Sequence, residues 1–292
     1  MSQLSAALTN RVRRGGALLA LLAGAALLGG CGLPRGADRL RQDLMAQSLA
    51  GQARAAVAQG PGQDEQAVRL AQWSQQLAPQ SLPVLRNAAG VLLQARAWQP
   101  ALAATLALQE RTGEVEAYET GMCYLYLHQG ETGARLLEEY VSSARSLHAT
   151  EQMDDLGLAG VLNNVGYVYA DTGYRLREAL ALTTEAVRLA PRNAIFVDSL
   201  GWAYYHVGQY DRAAFYLERA LRLQRPEEPE LLYHAGVIHA RQGQPRLARL
   251  ELHRALDLRG VFPEAEYELQ RMNWQLPQPR TANLIPDQHQ PS

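Results

Sequence analysis

Residues 197–220 read VDSLGWAYYHVGQYDRAAFYLERA, and this stretch decides the fold. Val197, Leu200, Gly201 and Tyr204 fall three and four residues apart, the spacing of one helix face. Gly208 breaks that run, and a second apolar helical run follows, bearing Ala213 and Ala220. A glycine in the first helix and alanines in the second let two helices approach closely, and the aromatic fills the gap that the small residues leave. The same sentence is written twice more. Upstream it is Leu162-x-x-Val165-Gly166-x-x-Tyr169, and downstream Tyr233-x-x-Gly236-x-x-His239, with second-helix alanines Ala179 and Ala248. Gly166, Gly201 and Gly236 are spaced 35 and 35, Gly173, Gly208 and Gly243 repeat that interval, and Ala186, Ala220 and Ala255 are spaced 34 and 35.

These residues resemble the tetratricopeptide repeat, a helix–turn–helix unit of about 34 residues. Pro191 stands at the closing proline of the first of the three units. The resemblance covers residues 157–260 and implies an all-α fold, a right-handed superhelical solenoid of antiparallel helix pairs. One pair cannot bury its apolar face alone, so the pairs stack.

Weaker copies fill residues 39–156 as degenerate N-terminal repeats. Leu85-x-x-Ala88-Ala89-x-x-Leu92 with Ala101 is one, Tyr118-x-x-Gly121-x-x-Tyr124 with Ala134 is another, and Asp64 to Pro79 reads as the second helix of a third. Gly121 and Gly166 are 45 apart, so the extra residues are predicted to lengthen the helix from Glu131 and its exit loop around His148 to Asp155. Residues 261–274 read as a capping helix begun by Pro263. Residues 275–292 are Pro-, Gln- and Asn-rich and are expected to be disordered. No alternating β-branched run suggests a strand. Roughly twelve or thirteen helices follow from the repeat arithmetic.

The N-terminus reads as an address. Arg11, Arg13 and Arg14 precede an unbroken run of apolar and small residues, ALLALLAGAALL at 17–28, the plan of a secretory signal. Leu28-Gly29-Gly30-Cys31 resembles the lipobox of bacterial lipoproteins. That resemblance implies removal of residues 1–30 as a signal peptide, lipidation of Cys31, and a short tether over 31–38. An uncleaved N-terminal anchor is the other reading of the same run. Both place the rest of the chain outside the cytoplasm, because the arginines stay inside. Gly32, where an Asp is absent, implies the outer membrane if the cell has one.

Composition excludes several functions. The chain has 292 residues, 28 basic against 29 acidic, and a formal net charge of −1. The basic residues are all Arg, which excludes a lysine Schiff base and a phosphate-loop lysine. No basic stretch follows Arg14, which argues against nucleic acid. Two Cys make no disulfide framework, and Cys123 reads as a small buried hydrophobe. The nucleophile-elbow, zincin, C-x-x-C and phosphate-loop motifs are absent, and His234 and His239, five apart, lie on different helix faces. No catalytic residue, metal, cofactor or small-molecule substrate is expected.

The candidate site is a stripe on the first helices, three before each glycine and one, four and five after it. It reads Tyr118, Met122, Leu125, Tyr126; then Asn163, Tyr167, Ala170, Asp171; then Asp198, Trp202, Tyr205, His206; then Tyr233, Val237, Ala240, Arg241. The expected binding residues are Tyr118, Tyr126, Asn163, Tyr167, Asp198, Trp202, Tyr205, His206, Tyr233 and Arg241, lining an open concave groove with Trp202 as its main anchor. The family resemblance implies a protein-interaction scaffold of cell-envelope assembly, with a protein partner in the groove and the membrane reached through the lipid. A glycan-binding envelope module is the alternative, since aromatic stripes also stack on sugar rings.

Overall fold

The computed structural model describes residues 35–274 apart from Arg225, so the signal segment, Cys31 and the 275–292 tail lie outside the described residues. Thirteen helices and no strand occur among the described residues. They are α1 (Arg35–Val57), α2 (Asp64–Leu77), α3 (Leu82–Gln94), α4 (Trp98–Thr112), α5 (Ala117–Tyr126), α6 (Gly130–Ala149) and α7 (Asp155–Asp171). Then come α8 (Leu176–Leu189), α9 (Ala194–His206), α10 (Tyr210–Leu223), α11 (Pro229–Arg241), α12 (Pro245–Arg259) and α13 (Pro263–Trp274). Consecutive helices pair, α1 with α2 through α11 with α12, and α13 caps the last pair. Helix α1 begins at Arg35, inside the stretch read as a tether, so residues 35–38 are its first turn. The long interval before Gly166 is spent as expected: α6 has 20 residues where α8 and α10 have 14 each.

Helix starts carry their sequence signals. The Asp154 carboxylate accepts from the Gly157 amide at 2.7 Å, and the Asn193 side chain accepts from Ile195 at 3.0 Å. Pro229, Pro245 and Pro263 open α11, α12 and α13, where the missing amide proton has no intrahelical partner to lose.

The small residues set the pair geometry. A Cβ on Gly201 would sit 3.2 Å from the Ala213 carbonyl oxygen, and one on Gly236 would sit 3.0 Å from that of Ala248. Ala101, Ala134, Ala179, Ala213 and Ala248 are all fully buried at these crossings.

The turn within each pair needs one residue at positive φ, seven after the small residue of the first helix. Gly173, Gly208 and Gly243 hold it at φ 70°, 78° and 73°. In the weaker copies the same seat is taken by Arg96 (φ 53°) and His128 (φ 60°). A side chain in this region costs about 1–2 kcal/mol. His128→Gly is therefore expected to raise stability by roughly 0.5–1 kcal/mol, net of the entropy glycine loses on folding, as read by the urea midpoint.

The array curls until its ends meet. A Cβ on Gly62 would touch Val261 at 3.6 Å. The Arg96 guanidinium, in the turn between α3 and α4, reaches 168 residues along the chain to donate to Glu264 of α13 at 2.7 Å. Burial raises the Asp64 carboxyl pKa, and Arg259 across the seam offsets part of that rise. The concave side is consequently the inside of a ring.

Candidate interior binding cavity

The inner side of the ring holds a half-open cavity of ≈ 490 Å³. Leu93 of α3, Arg96 of the α3–α4 turn and Trp98 of α4 line it, with Tyr118, Met122 and Tyr126 from α5 and Tyr167, Val168 and Asp171 from α7. Glu230, Tyr233 and His234 enter from α11, and Arg259, Phe262 and Glu264 close the remaining side. The first helices α3, α5, α7 and α11 thus supply most of the inner wall, and α1 and α9 none of it. A separate hollow of ≈ 370 Å³ between α6 and α8 has Leu137, Val141, Val165 and Leu182 as its apolar floor and holds none of the stripe residues.

Four of the ten expected binding residues, Tyr118, Tyr126, Tyr167 and Tyr233, line this cavity. The expected anchor does not. Trp202 is only 4 % exposed, stacked between the rings of His234 (centroids 4.1 Å) and Tyr205 (4.8 Å). Its indole N–H donates to Asp171 at 3.1 Å. The reason is curvature: the stripes of neighbouring first helices converge on the inside of a tight bend, and the largest ring there is covered by its neighbours. Asn163 is likewise 4 % exposed, on a helix that packs against both α5 and α9, and its Oδ1 meets no protein donor. Asp198 is committed to His234, whose Nδ1 lies 2.9 Å from its carboxylate. Arg241 donates to the Tyr205 hydroxyl at 3.3 Å, away from the cavity. His206 meets Trp202 edge-on at 4.8 Å, and burial lowers its pKa while its Nε2 has no protein partner. Trp202, Asn163, Asp198 and His206 are taken up within the bend, and Tyr205 and the exposed Arg241 pair with each other outside the cavity.

Asp171 organises the cavity wall. Its carboxylate accepts from the Tyr126 hydroxyl at 2.7 Å, from Trp202, and from Arg96 at 3.5 Å. Trp98 stacks flat on Tyr126 at 4.0 Å with 2° between the planes, and Arg96 lies 6.0 Å from the Tyr126 ring centre. Arg259 covers Phe262 at 4.3 Å and donates to Glu230 at 2.7 Å. The charged lining is therefore mostly self-paired. By contrast, the hydroxyls of Tyr118, Tyr167 and Tyr233 have no hydrogen-bond partner among the described residues. Burial first, then nearby carboxylates, raises all three hydroxyl pKa values, that of Tyr118 to about 12, so they stay protonated and can donate. The wall offers apolar rings with hydroxyl tips, suited to a guest carrying both apolar side chains and carbonyl groups.

Cys123 is fully buried, and burial first, then Glu119, pushes its thiol to about 12, leaving an inert packing residue. Arg96, Trp98, Arg259, Phe262 and Glu264 were not in the sequence-derived set. Arg96 could have been placed from its seat seven residues after Ala89, but no local signal marks the approach of residues 259–264.

The buried His234–Asp198 pair has a pH signature. Burial drives the His234 pKa down, but the Asp198 carboxylate, with Asp171 and Glu230 beyond it, outweighs this and raises it overall. A histidine raised above its unfolded value of about 6.5 adds stability that is complete below that pH and disappears as pH rises through the folded value. Asp198→Asn should therefore destabilise more at pH 5.5 than at pH 8.5, measured as the wild-type-minus-variant gap in urea midpoint.

The tetratricopeptide repeat family model matches residues 197–226. The TPR repeat-containing protein PA4667 of Pseudomonas aeruginosa is 38 % identical over 78 residues, 27 % of this chain and 13 % of that protein's own length. A tetratricopeptide repeat protein from Parabacteroides merdae superposes with a TM-score of 0.59 at 16 % identity, covering 78 % of this chain and 84 % of its own. The Cut9–Hcn1 hetero-tetramer of APC/C gives a TM-score of 0.46 at 18 % identity, over 80 % of this chain and 46 % of that one.

Proposed function

We propose that this chain, a tetratricopeptide repeat protein, is a non-catalytic scaffold that holds a segment of a partner protein inside its ring, tethered to a membrane of the cell envelope through Cys31. The observation that carries the reading is the interior wall. Ring faces from four repeat units converge on one cavity, three tyrosine hydroxyls there have no partner among the described residues, and the surrounding charges are mostly paired. Repeat solenoids use inner surfaces of this kind to collect many shallow contacts along an extended segment. The lipobox-like Leu28-Gly29-Gly30-Cys31 supports the tether, and two acyl chains give stable anchoring where one does not.

Affinity capture tests the scaffold. Wild type and a Leu93→Glu, Met122→Glu double variant, which places two carboxylates on the apolar wall, are compared in mild detergent, with mass spectrometry of what each retains. A protein kept by wild type and lost by the folded variant is the expected result; identical retention refutes the interior as the binding surface. Cys31→Ser should move the protein out of the membrane fraction, and unchanged lipid labelling would refute the tether.

A further inference from the structure

The ring has one thin joint. Elsewhere, neighbouring helices share buried core residues, such as Leu200 and Leu217 or Leu232 and Leu252. At the seam, Val261 is 46 % exposed, and the Arg96 and Glu264 side chains are 45 % and 39 % exposed. An exposed ion pair shifts an equilibrium by only about 2- to 5-fold and is screened by salt. The seam is thus the contact that opens at least cost.

Arg96 is built to survive that opening. It occupies the positive-φ seat that glycine fills in three other units, and this aims a long cationic side chain across the mouth of the cavity. It bonds closely to Glu264 on the far side, at 2.7 Å, and loosely to Asp171 on its own side, at 3.5 Å. When Glu264 leaves, Asp171 can take the guanidinium fully, so neither state holds an unpaired cation. The stack of Trp98 on Tyr126 beneath it stays in place in both states.

We propose that the ring is gated: it opens between Gly62 and Val261, the Arg96–Glu264 pair is the latch, and the guest of the cavity enters through this seam. The role of the gate rests on the interior being the binding site, but its existence can be tested without any partner. In the full chain with Cys31→Ser, Gly62→Cys and Val261→Cys together place two thiols where a Cβ on Gly62 would meet the Val261 side chain. Hydroxyl-radical footprinting then reads solvent access to the inner residues Tyr118 and Tyr167, with the outer Tyr267, 63 % exposed, as control. The disulfide-locked form should label Tyr118 and Tyr167 at least 3-fold more slowly than the same protein reduced, with Tyr267 unchanged. Glu264→Gln in the wild-type seam should label them about 2- to 5-fold faster. Failure of the disulfide to form, or equal rates in locked and reduced protein, overturns the gate. Unchanged rates in Glu264→Gln overturn the latch. The labelling rates report on the seam with no partner present, and capture with a static ring would refute the gate while keeping the interior as the binding surface, so the two ideas fail separately.

Discussion

Gly133→Leu is expected to lower the thermal midpoint by roughly 6–12 °C. Where α5 crosses α6, Gly121 and Gly133 face each other. A Cβ on Gly133 would fall 2.7 Å from the Gly121 carbonyl oxygen and 3.0 Å from the Leu125 amide nitrogen. Both are backbone atoms inside a helix and cannot swing aside. Overpacking a core contact costs about 1–3 kcal/mol and more where backbone must move. At about 2–4 °C per kcal/mol for a domain of this size, some 3 kcal/mol gives the stated shift. Gly160→Ala is the control. Nothing lies within 4 Å of a Cβ there, so the change should be neutral or slightly stabilising by helix propensity. Equal circular-dichroism melts for the two variants would show that the helix crossing is misplaced.

Trp202→Ala is the second large effect, a loss of about 3–5 kcal/mol. The side chain is 4 % exposed, sandwiched by His234 and Tyr205, and it supplies one of the bonds to Asp171. Truncation leaves a hole at the bend and strips Asp171 of a donor beside the cavity. Trp202→Phe keeps a ring for stacking but loses the N–H, so it should cost less, about 1–2 kcal/mol. Urea unfolding followed at 222 nm separates the three proteins. A Trp202→Ala variant as stable as wild type would return this residue to the role of an open-groove anchor.

The contrast between these two positions shows what the sequence could tell. The glycine–alanine register was legible because it is local: each small residue meets its partner about twelve residues later, across one tight turn. The same register marked the turn glycines Gly173, Gly208 and Gly243, whereas the structure was needed to show Arg96 and His128 in the equivalent positive-φ seats. The lengthened α6 and the cap at Pro263–Trp274 followed from the same counting.

Curvature was not legible. A stripe such as Asp198, Trp202, Tyr205, His206 looks the same in sequence whether the groove it faces is open or folded onto itself. Small tilts accumulated over six helix pairs decide that. Here they bring Glu264 to Arg96 and Val261 to Gly62, and they bury Trp202 and Asn163 while leaving Tyr118, Tyr126, Tyr167 and Tyr233 on the wall. The fold therefore came from periodicity, whereas the division of one aromatic stripe into core and surface needed the three-dimensional path.

Photo-crosslinking in the native cell tests most directly whether the interior is where the partner sits. Benzoylphenylalanine replaces Met122 on the cavity wall in one protein and Leu250, 56 % exposed on α12, in another. A protein adduct formed from position 122 and absent from position 250 is the expected result. An adduct from position 250 with none from 122 would contradict the account and move the binding surface to the outside of the ring.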